Sequence, residues 1–442
     1  MNIKSILATT LLTTTLAASA QVSISIDANQ RGAMISPTHY GIFFEDINHA
    51  ADGGLYAELI QNRSFENDRQ RPANWEAYSE EGGKSSIELT AEDPMNKAQR
   101  KSLRVIVSQA DAQHLAGVSN EGFWGINAVK GRQYTLTFWA KSDKKYQGTL
   151  TALLRPAAVS FGNLGITSIP VKLTPKWKKY TATITATDNH PQASFYLLAD
   201  APGVFQLDMV SLMPPTFKNH GMRPDLAQLL ADMKPKFMRF PGGCFVEGQR
   251  SPENAFRWER TIGPIEERPG HMNANWGYYT TDGLGFHEYL QLAEDLGAKP
   301  LYVVNVGIWH GGYTPLDSLK DTWLKECMDA LEYANGDVST KYGALRAKNG
   351  HPEPFNIEYV EIGNENYNFF MDSNRDQSIE YPERFKLFYD AIKAKYPNIK
   401  AIGNVESWGT DNPSWRNSYP VDIVDEHYYR NPKWFADRFN KY

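Results

Sequence analysis

Cysteine is nearly absent from this sequence, with two residues in 442, so no disulfide framework can be holding the fold together. Cys327 falls with Leu324, Met328 and Leu331 on one helical face, the spacing of a small buried hydrophobe, while Cys244 sits in a glycine turn; the two are not expected to pair. No apolar run is long enough to span a bilayer. The 46 basic and 51 acidic residues give neither the basic field that steers nucleic acid nor a polybasic membrane anchor, so neither partner is expected and a neutral polymer is the easier one. The ten His residues form no His-x-x-x-His or Cys/His grouping, and no Gly-x-Ser-x-Gly elbow occurs. Neither Gly242-Gly243 nor Gly311-Gly312 is followed by Lys-Ser or Lys-Thr, so these are not phosphate loops; they more simply let the backbone approach a ligand closely. No metal and no cofactor is expected.

What is present begins with a leader pattern. Lys4 precedes a short apolar stretch from Ile6 to Leu12, followed by the small-residue ending Ala18-Ser19-Ala20, so residues 1–20 read as a signal peptide cut before Gln21 and the protein as secreted or periplasmic. A chain of this length calls for more than one core. Residues 21–66 read as an N-terminal strand, Val22 to Ile26, and a first βα unit containing the strand Tyr40 to Phe44. Residues 67–214 change texture: Tyr134 to Lys141, Gly148 to Leu154, Tyr180 to Ala186 and Ser194 to Leu198 alternate between polar turns, the pattern of an all-β sandwich. Trp75, Trp124, Trp139 and Trp177 in this region are candidate stacking surfaces, although a sandwich Trp is more often core.

From residue 215 to 442 the period switches. Leu226, Leu229, Leu230 and Met233 make a helical stripe before the strand Lys236 to Phe240. Phe286, Tyr289, Leu290 and Ala293 make another before Leu301 to Val306. A helix at Trp323 to Tyr333 precedes Ile357 to Ile362; Phe385, Phe388, Tyr389 and Ile392 precede Ile399 to Gly403, and Val421 to Val424 follows. Such βα repetition implies a parallel sheet with helices outside it. Each strand ends in polar or glycine-rich residues, as on the active face of a (β/α)8 TIM barrel. The fold class is therefore α/β, a TIM barrel interrupted after its first unit by the sandwich. Six barrel strands can be counted where a closed barrel needs eight, so the barrel is expected to be incomplete, with two further units beyond Tyr442.

The strand Tyr359-Val360-Glu361-Ile362 delivers Gly363-Asn364-Glu365-Asn366 to that face. A carboxyl group partly desolvated there has its pKa raised into the range useful to a general acid, and the adjacent amide can hydrogen-bond a sugar hydroxyl. The plainer account is that Asn-Glu caps the next helix.

These motifs resemble those of glycoside hydrolase family 51, the α-L-arabinofuranosidases. Tyr40-Gly41-Ile42-Phe43-Phe44-Glu45-Asp46, Gly53-Gly54-Leu55-Tyr56 and Asn62-Arg63-Ser64-Phe65-Glu66 look like the family's opening. Arg239-Phe240-Pro241-Gly242-Gly243-Cys244-Phe245, Glu361-Ile362-Gly363-Asn364-Glu365 and Asp425-Glu426-His427-Tyr428-Tyr429 resemble its second, fourth and sixth strand motifs. The sandwich, closing with Phe205 to Leu212, is similar to the jelly-roll, carbohydrate-binding-like insert of some members. The resemblance implies a retaining, exo-acting α-L-arabinofuranosidase acting on arabinan, arabinoxylan or arabino-oligosaccharides. It makes Glu365 the acid/base, Asn364 the contact to the arabinose 2-hydroxyl and Glu45 a ligand of the distal hydroxyls, unless Glu45 is a surface acid. Cys244 would shape the subsite. Arg239 would position or polarise the nucleophile, with a buried structural ion pair an equal account; His427 and Tyr429 would orient the acid/base and the nucleophile, with core packing as their alternative.

Retention needs a second carboxylate about 5 Å from the first. In the resembling family it ends the seventh strand, and no such strand is expected before Tyr442. Glu406 would be a substitute only if the fifth strand faced the fourth, which it adjoins. The chain as written is thus expected to be inactive and the full-length gene product active. Two other readings stay open: a related retaining β-glycosidase, against which the first and second strand motifs speak, and a carbohydrate-binding protein without catalysis, which sugar binding by the sandwich would favour. A homo-oligomer is compatible with the sequence.

Overall fold

The computed structural model describes residues 25–32, 34–142, 144, 146–156, 162–366, 377–406 and 420–438, without the side chains of 377–380 and 405–406. The expected leader and Val22 to Ile24 lie outside these residues, and Ser25 and Ile26 belong to no strand. The chain divides between His39 and Tyr40 into two units; all the strands and helices named below belong to the second.

Six parallel strands form one sheet in chain order: β1 (Ile42–Phe43), β2 (Phe237–Phe240), β3 (Lys299–Val304), β4 (Tyr359–Ile362), β5 (Lys400–Glu406) and β6 (Ile423–Glu426). Their registers pair Phe43 with Arg239, Arg239 with Leu301, Leu301 with Tyr359, Glu361 with Ile402 and Asn404 with Asp425. Parallel strands in an unbroken neighbour sequence make the curled wall of a TIM barrel, here an incomplete one. The helices are α1 (Pro224–Asp232), the single turn α2 (Cys244–Glu247), α3 (Phe286–Leu296), α4 (Trp323–Asn335), α5 (Lys341–Lys348), α6 (Gln377–Lys395) and α7 (Pro432–Asp437).

Local chemistry sets these boundaries. Pro224 opens α1, where its missing N–H is no loss. Gly297, with φ of 67°, ends α3 in the left-handed conformation that glycine adopts without strain. The expected stripe on α3 is buried throughout, and Phe286 and Tyr289 join Phe240, Tyr302, Tyr333 and Trp258 in one aromatic layer between sheet and helices. Each such side chain contributes about 2–3 kcal/mol when fully buried. On α1 the expectation holds for Leu226 and Leu230, which pack inward beside Ala227 and Ala231, but not for Leu229 and Met233, which face solvent. Two alanines on that side permit close approach, so the helix turns it inward. Cys327 is buried in α4, and both cysteines are free.

Between β1 and β2 lies the sandwich. One antiparallel sheet orders Lys178–Thr185, Gln133–Lys141, Gly203–Met213, Ser102–Gln109 and Lys84–Thr90; the other orders Trp75–Ser79, Ala116–Asn120, His190–Ala199, Tyr146–Pro156 and Gly165–Leu173, with Ile126–Ala128 paired to His190–Ala199. Inward alternation, as in Tyr134, Leu136, Phe138 and Ala140, fills the core between them. The motif Asn62 to Glu66 proves to be the joint with the barrel. Arg63, buried, donates to Glu58 at 3.3 Å, Tyr56 at 3.2 Å and Thr281 at 3.1 Å, and Glu58 in turn accepts from the backbone N–H of Leu212 at 2.9 Å. Among the described residues no helix is long and apolar enough to cross a membrane.

Candidate active site

The carboxyl ends of β1, β2, β4 and β6 converge. Arg239, the third residue of β2, projects across the sheet and forks onto Glu361 of β4, donating through Nε at 2.5 Å and Nη2 at 2.8 Å. Its Nη2 also reaches Asn364 Oδ1 at 2.9 Å, and Nη1 reaches the Gly242 carbonyl at 3.3 Å. The buried ion pair allowed for Arg239 is therefore present, and the same guanidinium fixes Asn364. Burial pushes Glu361 up to about 7, against the pull of Arg239, with the charge of Asp425 adding to the rise.

Asn364 is held on its other side by Glu247, which accepts from its Nδ2 at 3.2 Å and from Asn366 Nδ2 at 2.7 Å. With both amide ends fixed, Asn364 cannot flip, and its backbone N–H is bound by Asn366 Oδ1 at 2.9 Å. The turn after β4 is tight: Gly363 has φ of 83°, and a Cβ there would sit 2.1 Å from Asn366 Oδ1. Glu365 itself takes φ of 46°, an uncommon conformation for a residue with a side chain. Such local strain persists where the surroundings impose it.

What meets Glu365 is His427, just past β6. Its Nδ1 lies 2.5 Å from Glu365 Oε1 and its Nε2 lies 2.8 Å from Asp425 Oδ2. Burial alone would favour the neutral ring, but the hydrogen bonds to Asp425 and Glu365 outweigh it and hold the imidazole pKa up to about 10. The ring thus bridges Asp425 at one end and Glu365 at the other. Asp425, despite its burial, is held well below the usual carboxylate range by His427 and Arg239.

Glu45, at the end of β1, is buried and accepts from the Phe245 N–H at 2.8 Å and the Trp276 indole N–H at 3.3 Å. Desolvation raises its pKa, and those hydrogen bonds oppose the rise. The paired glycines explain how it fits: a Cβ on Gly242 would sit 2.6 Å from Glu45 Cγ, and one on Gly243 would sit 3.0 Å from Glu45 Oε2. Cys244 heads α2, with its thiol pKa raised by burial and by Glu247, Glu45 and Glu365 around it. Tyr429 lies at the rim, 74% exposed, and the negative charges of Glu365 and Glu45 reach it.

The structure therefore brings Glu45, Arg239, Cys244, Asn364, Glu365 and His427 to one face, with Tyr429 at its edge. Sequence reasoning passed over Glu247, Asn366, His310 and Trp276. Glu247 follows Cys244 by one helical turn, a relation visible only once α2 is known; Trp276 comes from a short hairpin, His271–Asn273 with Tyr278–Thr280, too brief to show alternation. Two groups present ligand atoms within 4.8 Å of one another, Cys244 with Glu247 and His310, and Glu361 with Asp425 and His427.

Known proteins resemble this chain in both its barrel and its sandwich. Residues 229–442 match the α-L-arabinofuranosidase 1 domain, and residues 57–203 match a carbohydrate-binding domain. The chain is 39% identical to α-L-arabinofuranosidase 1 of Arabidopsis thaliana, over 92% of this chain and 59% of that protein. It is 36% identical to the extracellular exo-α-L-arabinofuranosidase of Streptomyces chartreusis, over 95% of this chain and 51% of the relative. A solved arabinose-bound α-L-arabinofuranosidase of glycoside hydrolase family 51 superposes with a TM-score of 0.81 at 33% identity, covering 92% of this chain and 64% of that one. The chain thus spans between half and two thirds of the length of these relatives. With the motifs of four barrel strands in order, the matched domains and the shared fold, the chain belongs to glycoside hydrolase family 51, the α-L-arabinofuranosidases.

Proposed function

We propose that this chain carries the sugar-binding face and the acid/base of a retaining, exo-acting α-L-arabinofuranosidase that releases terminal arabinofuranose from arabinan, arabinoxylan or arabino-oligosaccharides. The observation that carries the reading is the Glu365, His427, Asp425 relay set beside an Asn364 that cannot rotate. In this role Glu365 protonates the departing glycosidic oxygen and later takes a proton from the water that resolves the glycosyl-enzyme. His427 aims its carboxyl. Asn364 binds the 2-hydroxyl, Glu45 binds the distal hydroxyls, and Cys244 bounds the subsite beside them. Arg239 positions the nucleophile indirectly, by fixing Asn364 and Glu361, and Tyr429 orients it from the rim.

Among the described residues the remaining carboxyls of this face are engaged: Glu361 by Arg239 and Asn404, Asp425 by His427, Glu247 by two amides and Glu45 by the Phe245 N–H. The nucleophile is accordingly assigned to a carboxylate outside them. The 442-residue chain then binds arabinose without hydrolysing arabinofuranosides, whereas a longer chain supplying a seventh-strand Glu hydrolyses them. Titrating L-arabinose into the chain, alongside turnover of 4-nitrophenyl α-L-arabinofuranoside, tests both parts: saturable binding without turnover is expected, fast turnover refutes the missing nucleophile, and no binding refutes the pocket. Export to the periplasm or medium is supported by the pattern of residues 1–20 and by the extracellular Streptomyces relative.

A second reading, glycan binding by the sandwich itself, is favoured by a groove of about 620 Å³ lined by Arg71, Asn74, Glu76, Ser119, Glu121 and Tyr196. Binding of arabinan or arabinoxylan there would survive Asn364→Ala.

A further inference from the structure

Of the four Trp residues in the sandwich region that could serve as stacking surfaces, Trp75 is core, with its indole N–H on the Asn62 carbonyl at 3.0 Å. Trp139 and Trp177 are half-buried, the latter beneath the Lys141 ammonium. Trp124 differs: 69% of it is exposed. It lies in the turn between Ala116–Asn120 and Ile126–Ala128 with φ of 58°, flanked by Gly122 at 70° and Gly125 at 97°. A bulky residue seldom adopts that backbone, and an indole held outward gains little from packing.

The turn is anchored to the barrel. A Cβ on Gly53 would meet the Phe123 ring at 2.5 Å, so Phe123 seats directly on the loop after β1, and its ring centroid lies 5.8 Å from that of His49. Trp124 stands edge-on to His49, with centroids 5.5 Å apart at 83°. His49 in turn stacks on Tyr278 at 3.9 Å and 23°. The Tyr278 hydroxyl donates to the carbonyl of Asp46 at 2.7 Å, next in chain to Glu45, and Trp276 on the same hairpin donates to Glu45 itself. A row of rings thus leads from Glu45 out to the sandwich.

We propose that Trp124 is a stacking platform for the neutral glycan main chain to which the arabinofuranose is attached, so that the inserted sandwich completes the substrate cleft of the barrel. This rests on the proposed pocket at Glu45, Asn364 and Glu365. The occupant follows from the chemistry and the continuity: an aromatic face without a cation receives the C–H face of a sugar ring, and the row begins where the terminal sugar is bound. An exo-acting site takes one residue into its pocket and must accommodate the rest of the chain outside it.

The test measures binding to the 442-residue chain of L-arabinose, of an arabinoxylo-oligosaccharide and of a branched arabino-oligosaccharide, in wild type, Trp124→Ala and Trp124→Phe. An aromatic contact of this kind is worth about three- to tenfold in affinity. Trp124→Ala is expected to lose that factor for one or both oligosaccharides while L-arabinose binding, which also reports an intact fold, is unchanged; Trp124→Phe recovers most of it. The oligosaccharide that loses more identifies the main chain. Unaltered oligosaccharide affinity in Trp124→Ala, with L-arabinose still bound, overturns the platform and leaves the pocket standing. Failure of the wild type to bind any of the three overturns both.

Discussion

Removing the cation at the centre of the site should expose what it holds. In Arg239→Met, Glu361 loses hydrogen bonds of 2.5 and 2.8 Å and retains the Asn404 amide at 2.9 Å. It is only 1% exposed, so water cannot replace them. A buried charge stripped of its partner costs about 3–5 kcal/mol. The loss should depend on pH in a defined direction. Burial has already raised the folded-state pKa of Glu361 to about 7 from 4.5, so its contribution to stability is fully present below the unfolded value and is lost as pH rises through the folded value. Without the cation the folded-state value rises further, and the variant stays protonated where the wild type ionises. The penalty should therefore shrink by about 1.4 kcal/mol for each pH unit lowered from about 8.5 towards 7, and level off below about 6. Pairing the change with Glu361→Leu should restore stability to within about 1 kcal/mol, since an apolar pair needs no charge compensation. Because the sandwich and barrel have separate cores, urea unfolding by tryptophan fluorescence should be read together with hydrogen exchange in β2 and β4. A penalty below about 1 kcal/mol at pH ~8, or one that does not fall on acidification, refutes the reasoning.

Three further outcomes are expected. His427, raised to about 10 from 6.5, contributes stability that is complete below the lower value and disappears as pH rises through the higher; its ring protons in an NMR titration should not move between about pH 6 and 8, and Asp425→Asn should bring its transition down into that range. Gly242→Ala should cost about 1–3 kcal/mol and weaken L-arabinose binding, because φ of 145° suits glycine and the new Cβ would displace Glu45; calorimetry and titration of the variant check it. Arg63→Met should leave Glu58 buried and unpaired at the joint, lowering stability by about 3–5 kcal/mol and separating the unfolding of sandwich and barrel into two transitions in a calorimetric scan.

Much of this arrangement could be read from the chain because strands announce their ends. Glu45, Asn364, Glu365 and His427 each follow a short apolar run, and a parallel sheet in chain order must bring such ends together. Arg239 was legible as a charge inside an apolar strand, but whether it served an ion pair or a reacting group depended on which residue stood across the sheet, and the register pairing β2 with β3 and β3 with β4 decides that. Glu247 and Asn366 were hidden because their importance lies in holding Asn364, and nothing in a local pattern marks a side chain that acts through another. The stripe on α1 misled in part, for a related reason: periodicity identifies an amphipathic helix, whereas the face it turns inward was chosen by the small size of Ala227 and Ala231. Trp124 stood out only as one of four candidates until its left-handed backbone and the ring of His49 beside it set it apart.

The most direct test of the account is a crystal structure of the chain soaked with L-arabinose. The account predicts a sugar ring hydrogen-bonded to Glu45 and Asn364, with the Glu365 carboxyl, still bound to His427, at the anomeric oxygen. Arabinose bound elsewhere, or a Glu365 carboxyl turned away from His427 into solvent, would contradict it.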